Sequence, residues 1–262
     1  PQLHLEVLQN LIKTLVCLGE TSQAQELYQY AIDLLQYLLS ETTESDEGKK
    51  ELALKYAGFE QLAVDIAMQL GEIAQALEIA EHGKNACLTW LVSGWTDEII
   101  SPNYRSIHQL LNPTTAIIYW HISPCTLRTF IIKYNSPEPI PIFTPVLNVA
   151  VIDEMPLPEA VQRLVEFEDW LEDWNQQYTE YRQLQANDAS NKSSHSWQAD
   201  MEQRLLNLKN ILNISTIVNE LEDITHLILI PHRDLHRFPL HALFNLSSRC
   251  DEELFQPHSF TF

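Results

Sequence analysis

The sequence predicts an α+β protein in which helical hairpins precede a sheet. Apolar residues recur at helical spacing over residues 3–92, whereas short runs rich in β-branched and aromatic residues follow from residue 96 onward. The chain has 262 residues and is 45% hydrophobic, which suffices for a sizeable core and favours two domains. We place a helical domain at residues 1–95 and a second domain at residues 96–262.

The helical domain contains an internal repetition. Apolar spacing predicts four helices, over residues 3–18, 22–39, 52–70 and 76–90. Gly19 separates the first two helices and Gly71 the last two. The segment Leu18–Glu26 aligns with Leu70–Glu78, so we interpret each pair as one copy of a helix–turn–helix unit.

The two units are spaced more widely than the roughly 34 residues of a TPR repeat. The polar segment 41–50 accounts for the difference as an extended connection. Because a solenoid usually needs about three units to bury its faces, we expect further repeats before Pro1. A four-helix bundle without repeat ancestry is the alternative.

The second domain begins with strands at about residues 114–133. A short helix is predicted over Tyr104–Leu111, and two apolar runs, at residues 116–120 and 127–133, read as a β-hairpin. Residues 140–146 are a possible third strand. Three prolines within or beside this run confine it to a sheet edge, since proline cannot donate to a ladder.

An acidic helical insertion is predicted at about residues 153–221. It comprises a helix over residues 156–186, a flexible polar segment over 186–198 and an amphipathic helix over 201–221. Trp170 and Trp174 stand one helical turn apart. We interpret them as core residues, with a groove for a partner as the alternative.

Residues 225–244 predict a strand, a loop and a helix. The apolar run Leu227–Ile230 is typical of a strand buried on both faces, and Pro231 ends it. Asp234 can cap the turn after the strand, and Pro239 has the φ angle that suits the first position of a helix. A further strand is predicted over residues 257–262.

The segment of residues 225–244 resembles the signature of CHAT domains, which are caspase-like cysteine protease modules that usually follow TPR repeats. The matching residues are Pro231, Leu235, Pro239, Leu240, Ala242 and Leu243. Weaker similarities are the last TPR-like helix, with Glu81, Lys84 and Leu88, and the Asn112–Thr114 start of the first strand. The resemblance implies TPR-like α-helical hairpins followed by the first, non-catalytic part of a caspase-like α/β CHAT domain.

The resemblance also implies where the catalytic residues belong. CHAT proteases carry a histidine in a Gly-His-Gly-like loop and a cysteine in an Ala-Cys-like loop, several strands after the signature, and neither motif occurs here. We therefore assign no catalytic residue and expect the dyad to lie C-terminal to this chain. By resemblance the intact protein is a cytosolic cysteine endopeptidase regulated by its repeats; the alternative is a non-enzymatic scaffold.

Histidines and cysteines suggest no other chemistry. His232, His236 and His241 lie close together, but no cysteine or carboxylate at suitable spacing completes a metal ligand set, so we assign them surface and capping roles. We predict no metal and no cofactor. The cysteines form no CxxC pair, which favours reduced thiols in the cytoplasm; they are Cys17, Cys87, Cys125 and Cys250.

The net charge of −20 argues against binding to nucleic acid or to an anionic membrane, because both require clusters of Lys and Arg. It favours a basic protein partner, which we expect to bind the TPR-like repeats. The alternative is that the charge serves only solubility. Nothing in the sequence predicts an oligomeric state.

Overall fold

The computed structural model describes residues 2–41, 48, 51–52, 55–92, 101–142, 151–152, 155–156, 158–187 and 196–246. Helices surround a four-stranded mixed sheet, so the predicted α+β class is confirmed. The finer TPR-like and CHAT-like descriptions stay predictions. The predicted strand at residues 257–262 lies outside the described residues, as does most of the polar segment 41–50.

Among the described residues of the N-terminal part, the helices pair in two hairpins: α1 (Gln2–Leu18) with α2 (Thr21–Glu41), and α3 (Gly58–Gln69) with α4 (Ile73–Val92). α1 packs on α2 and α3 on α4. The buried face of α1 repeats at helical spacing, with Leu5, Leu8, Ile12 and Val16. Of the helices that the structure describes, none is both long and apolar enough to cross a bilayer.

The same turn closes both hairpins. Gly19 has φ +79° and Gly71 φ +80°, a conformation that side chains disfavour. The Gly19 N–H donates to the Val16 carbonyl at 3.1 Å, and the Glu20 N–H donates to the Leu15 carbonyl at 2.9 Å. The equivalent two bonds recur in the second hairpin, at 3.2 and 2.9 Å. These are Schellman motifs, so the aligned segments have matching turns.

The sheet consists of four strands in the order β3-β2-β1-β6: β1 (Thr115–Ile122), β2 (Leu127–Lys133), β3 (Ile140–Pro141) and β6 (His226–Ile230). β1 and β2 form the predicted antiparallel hairpin, preceded by α5 (Tyr104–His108). β3 lies at the edge, as its prolines predict. β1 pairs with β6 in parallel, and a separate two-stranded ladder joins β4 (Val151–Ile152) to β5 (Met155–Pro156).

Helices cover both faces of the sheet. Alternate residues of β1 contribute to two different hydrophobic clusters, because side chains alternate across a strand. Ile118 and Trp120 pack with the C-terminal helices, whereas Ile117 and Tyr119 pack with α3, α4 and α5. β1 is buried along its whole length and lies in the middle of three layers.

The C-terminal helices are α6 (Glu159–Asn187), α7 (Ser196–Ala199), α8 (Met201–Ile211) and α9 (Ile214–Asn219). The single helix predicted over residues 201–221 is wrong, since Asn213 adopts φ 52° and breaks it. Asparagine is among the few residues that tolerate this left-handed conformation. The segment 186–198, predicted to be flexible, contains helical residues at both ends, with residues 188–195 outside the description.

Two predictions about buried side chains have different outcomes. Trp170 is buried, its Nε1 donates to the Arg204 carbonyl at 3.2 Å, and Trp174 packs against the same cluster, so the core interpretation is confirmed. The strand β6 is not buried on both faces, because Ile228 is 45% exposed. The helices that cover Ile117 of β1 do not extend over its neighbour Ile228.

The signature segment forms a strand, a turn and a helix. β6 leads into a 3-10 turn over Arg233–Arg237 and then α10 (Leu240–Leu243). Pro239 stands immediately before α10, one position earlier than predicted. Leu235, Leu240 and Leu243 are buried in the cluster beneath the C-terminal helices.

We expect Leu243→Ala to lower the free energy of unfolding by about 2–5 kcal/mol, because it removes a fully buried leucine. Urea unfolding monitored by circular dichroism measures the loss. Leu110→Ala is the matched control, since Leu110 is 79% exposed, and should cost less than about 0.5 kcal/mol. Equal small losses in both variants would contradict the burial of the signature helix.

Candidate functional site

A cavity of about 360 Å³ lies between helices α3 and α4 and the carboxyl end of the parallel pair β1 and β6. His121, near the end of β1, and His232 and His236, after β6, form one side, with Glu60, Gln61 and Lys84 on the other. The carboxyl ends of parallel strands are where open α/β sheets usually bind ligands. The described residues that line a larger groove of about 640 Å³ all belong to α6, so no second described element converges on it.

His232 holds a defined tautomer. Its Nδ1 accepts a hydrogen bond from the Ile122 N–H at 2.9 Å, so a neutral ring carries its proton on Nε2. The ring stacks on His121, with centroids 4.9 Å apart and planes 8° from parallel. Burial lowers the pKa of His232 to about 3, and the neighbouring His121 and Arg233 act in the same direction.

His121 is buried within the sheet. Burial lowers its pKa to about 4, although the Asp65 carboxylate and the Gln61 backbone act in the opposite direction. Its Nε2 has no hydrogen-bond partner among the described residues. Both stacked imidazoles are therefore neutral at neutral pH, which avoids placing two positive charges in contact.

The described residues that line the cavity can donate and accept hydrogen bonds, but they include no hydroxyl or thiol nucleophile beside a base. Of the described residues that line it, none is a cysteine or a serine. The described part of the chain also contains no group of three or more His, Cys, Asp or Glu that could hold a metal ion. His241 does not line the cavity with the other two signature histidines.

The predicted surface role fits His236 and His241, which are exposed, but needs correction for His232. His232 is half-buried, and its ring joins the β6 loop to the end of β1. His121 was not singled out, since a histidine within an apolar run resembles any other strand residue. Its contact with His232 depends on the order of strands in the sheet, which local sequence does not encode.

A second polar cluster is centred on Asp65, on the buried face of α3. The side chain is fully buried, and Arg128 Nε of β2 donates to its Oδ1 at 2.7 Å. The hydroxyl groups of Ser123 and Thr126 donate to the two carboxylate oxygens, and Cys125 Sγ donates to Oδ2 at 3.3 Å. A buried charge is tolerated when it is paired and fully hydrogen-bonded.

The Asp65 cluster joins the helical hairpins to the sheet. Four of its donors come from the β1–β2 turn and the start of β2, whereas the acceptor belongs to α3. The cluster was not predictable from the order of elements along the sequence. Its only local signal is a carboxylate inside the apolar run of residues 62–67, where aspartate is seldom buried unless paired.

Comparison with known proteins gives no match: no family model, curated protein or solved structure is similar to this chain.

We expect Asp65→Asn to lower the free energy of unfolding by about 3–5 kcal/mol, because Arg128 then keeps a largely buried charge without its counterion. Urea unfolding measures the change. Asp169→Asn on the exposed face of α6 is the matched control and should change stability by less than about 0.5 kcal/mol. A loss no larger than that of the control would show that the carboxylate is not buried with Arg128.

The two stacked histidines predict loss of stability on acidification. Their folded pKa values, about 4 and about 3, lie below the value of about 6.5 in an unfolded chain. As the pH falls from about 6.5 to 4, the unfolded chain takes up protons that the folded chain does not, so unfolding becomes easier. The contribution of His121 reaches about 3 kcal/mol.

His121→Gln should therefore flatten the dependence of unfolding free energy on pH between 6.5 and 4. Urea unfolding at a series of pH values measures the slope. His226→Gln, which removes an exposed imidazole on β6, should retain the slope of the unmodified chain. An identical slope in both variants would mean that His121 is not held neutral by burial.

Proposed function

We propose that this chain is the regulatory, partner-binding half of a TPR–CHAT caspase-like cysteine protease, whose catalytic dyad lies C-terminal to Phe262. The proposal rests first on the signature residues Pro231 to Leu243. The structural observation that supports it best is the Asp65 cluster, which links helix α3 to the β1–β2 turn. Through this link, a partner bound to the helices acts on the sheet rather than on a detached domain.

The helical hairpins offer a surface for that partner. α1 buries one face and exposes apolar side chains on another, at Leu3, Val7, Leu11 and Leu18. These positions follow helical spacing and form a stripe, which we call the α1 stripe. An amphipathic helix with basic residues beside its apolar face suits the stripe, because the chain carries a net charge of −20.

The proposal also agrees with the chemistry of the cavity. The stacked His121 and His232 are neutral, and the described residues that line the cavity include no thiol, so the cavity supports positioning rather than peptide hydrolysis. The non-enzymatic scaffold remains the alternative, and the two differ only in the sequence beyond Phe262. A histidine and a cysteine in the expected downstream loops favour the protease.

A peptidase assay tests the proposal. Residues 1–262 should not cleave casein or mixed peptides, because both catalytic loops are missing from this sequence. The protein that carries the downstream sequence should cleave them, and replacing its downstream cysteine by alanine should abolish turnover. Turnover by residues 1–262 that Cys250→Ala abolishes would contradict the assignment, and an inactive longer protein would favour the scaffold.

The same protein allows a test of the α1 stripe. Leu11→Asp should reduce the capture of partner proteins and their effect on turnover, because it places a charge in the centre of the stripe. Gln25→Asp, on the exposed surface of α2, adds the same charge outside the stripe and should retain both. If the two variants behave alike, the partner does not bind through α1.

A further inference from the structure

A small cavity of about 160 Å³ lies where the helical hairpins, the sheet and α6 meet. It is lined by Met68 and Gln69 at the end of α3, by the start of β2 and by residues 158–160 at the start of α6. We call it the arginine cavity, because Arg128 and Arg163 also line it. Pockets for drug-sized ligands have roughly 300–1,000 Å³. The arginine cavity therefore suits a small ion or one terminal group of a ligand.

The two guanidinium groups supply positive charge to this cavity. The side chains of Arg128 and Arg163 are largely buried, with exposed fractions of 12% and 6%. Arg128 donates to Asp65 through Nε, and no group of the described residues accepts a hydrogen bond from its two Nη atoms. Burial lowers the pKa of Arg163 and the charge of Arg128 adds to this effect, although pairing with Glu159 opposes both. Both guanidinium groups stay charged at neutral pH.

The start of α6 favours the same sign of ligand charge. The N–H groups of Val161 and Gln162 donate to the Pro158 carbonyl, at 2.9 and 3.1 Å, so the helical bonding begins at the cavity. α6 has 29 residues, and the N-terminus of a long helix carries a partial positive charge that stabilises anions. An anion in the cavity is therefore attracted by two side chains and by the helix.

Thr129 gives an independent indication of a ligand. It lines the cavity and is only 1% exposed, and its Oγ1 has no hydrogen-bond partner among the described residues. Because side chains alternate along β2, Thr129 lies on the same face as Leu127 and Ile131, which pack with the C-terminal helices. Its hydroxyl is thus on the side of the sheet that α6 covers. A buried hydroxyl is rarely left without a partner, and a ligand in the cavity supplies one.

We propose that the arginine cavity binds a phosphate group, which accepts hydrogen bonds from Arg128 Nη, from the Arg163 guanidinium and from the Thr129 hydroxyl. Arginine binds phosphate strongly, often through two parallel hydrogen bonds. The donors come from two different elements, β2 and α6, which suits a tetrahedral oxyanion better than the two coplanar oxygens of a carboxylate. The ligand is inorganic phosphate or the phosphate of a small ester.

Glu159 competes with such a ligand. Its carboxylate pairs with Arg163, and its side chain is 22% exposed. A phosphate that enters the cavity takes the place of this carboxylate beside Arg163, while Glu159 turns toward solvent. The buried cation then exchanges one anion for another and keeps a counterion. Asp65 stays bonded to Arg128 Nε, so the contact between α3 and β2 is retained.

A bound phosphate stabilises the junction of the three parts of the fold. Besides lining the cavity, Gln69 holds the turn of the first hairpin: its Nε2 donates to the Val16 carbonyl, and its Oε1 accepts from the Thr21 hydroxyl, both at 2.7 Å. The ligand therefore lies beside residues of α3, β2 and α6 at once. We expect binding to raise the thermal unfolding midpoint, because a ligand that binds only the folded chain stabilises it.

Isothermal titration calorimetry of residues 1–262 with inorganic phosphate tests the site, with sodium chloride at matched ionic strength as the reference. We expect saturable binding of phosphate, competition by sulfate, and a higher unfolding midpoint in phosphate than in chloride. Acetate should compete weakly, because it is planar. Binding of glycerol phosphate as well would identify an ester as the ligand, whereas binding of inorganic phosphate alone would identify the free ion.

Thr129→Val is the most direct variant, because it replaces a hydroxyl that has no partner among the described residues with a methyl group of similar size. It should fold like the unmodified chain and bind phosphate about tenfold more weakly or worse, the usual effect of losing a hydrogen bond to a charged group. Thr14→Val removes an exposed hydroxyl of α1 and is the matched control, which should retain the affinity.

Two variants of the ion pair test the position of the ligand. Arg163→Gln should abolish measurable binding, whereas Glu159→Gln should tighten it, because the competing carboxylate is removed. Circular dichroism shows whether each variant is folded. If Arg163→Gln is unfolded, Thr129→Val and Glu159→Gln still decide the outcome.

Four results would overturn the inference. They are absence of phosphate binding beyond the chloride reference, equal competition by acetate and sulfate, equal affinities of Thr129→Val and Thr14→Val, and binding by Glu159→Gln that is no tighter than that of the unmodified chain. The inference goes beyond the proposed function and does not depend on it. The peptidase assay concerns sequence after Phe262, so failure of one and failure of the other are distinguishable.

Discussion

The buried carboxylate of Asp65 is the constraint on which the arrangement of helices and sheet depends. A charge in the interior is stable only when donors surround it, and here they come from Arg128 and from the β1–β2 turn. α3 cannot shift along the sheet without leaving those donors or the charge unsatisfied. Hydrophobic packing alone permits several registers between a helix and a sheet, whereas the hydrogen bonds to Asp65 select one.

Elements close in sequence were predictable, and contacts between distant ones were not. The turns at Gly19 and Gly71 follow from glycine's freedom at positive φ, and the β1–β2 hairpin from two β-branched runs. The break at Asn213 was not predicted, because a single left-handed residue leaves the spacing of apolar residues almost unchanged. Ile228 is exposed because coverage of β6 depends on where α3 to α5 end, which no property of the strand itself reveals.

In the candidate site, too, features local in sequence were predictable and contacts between distant residues were not. The signature histidines are close in sequence, but of the three His232 and His236 line the cavity, and His232 stacks on His121 from another strand. Parallel pairing of β1 with β6 brings them together. Asp65 was missed for the same reason, since its donors are residues far away in the chain.

Helix α3 connects the cavity to the Asp65 cluster. Gln61 and Asp65 lie one turn apart on it, so both side chains lie on the same side of the helix. Gln61 accepts a hydrogen bond from Arg233 in the signature turn, while Asp65 holds the β1–β2 turn and lies close enough to His121 to affect its pKa. Displacement of α3 therefore changes the contacts of both β1 and the signature turn at once. Coupling between the helices and the sheet therefore does not require a chain of many residues. The rigid helix α3, with the polar contacts of Gln61 and Asp65 on successive turns, is sufficient.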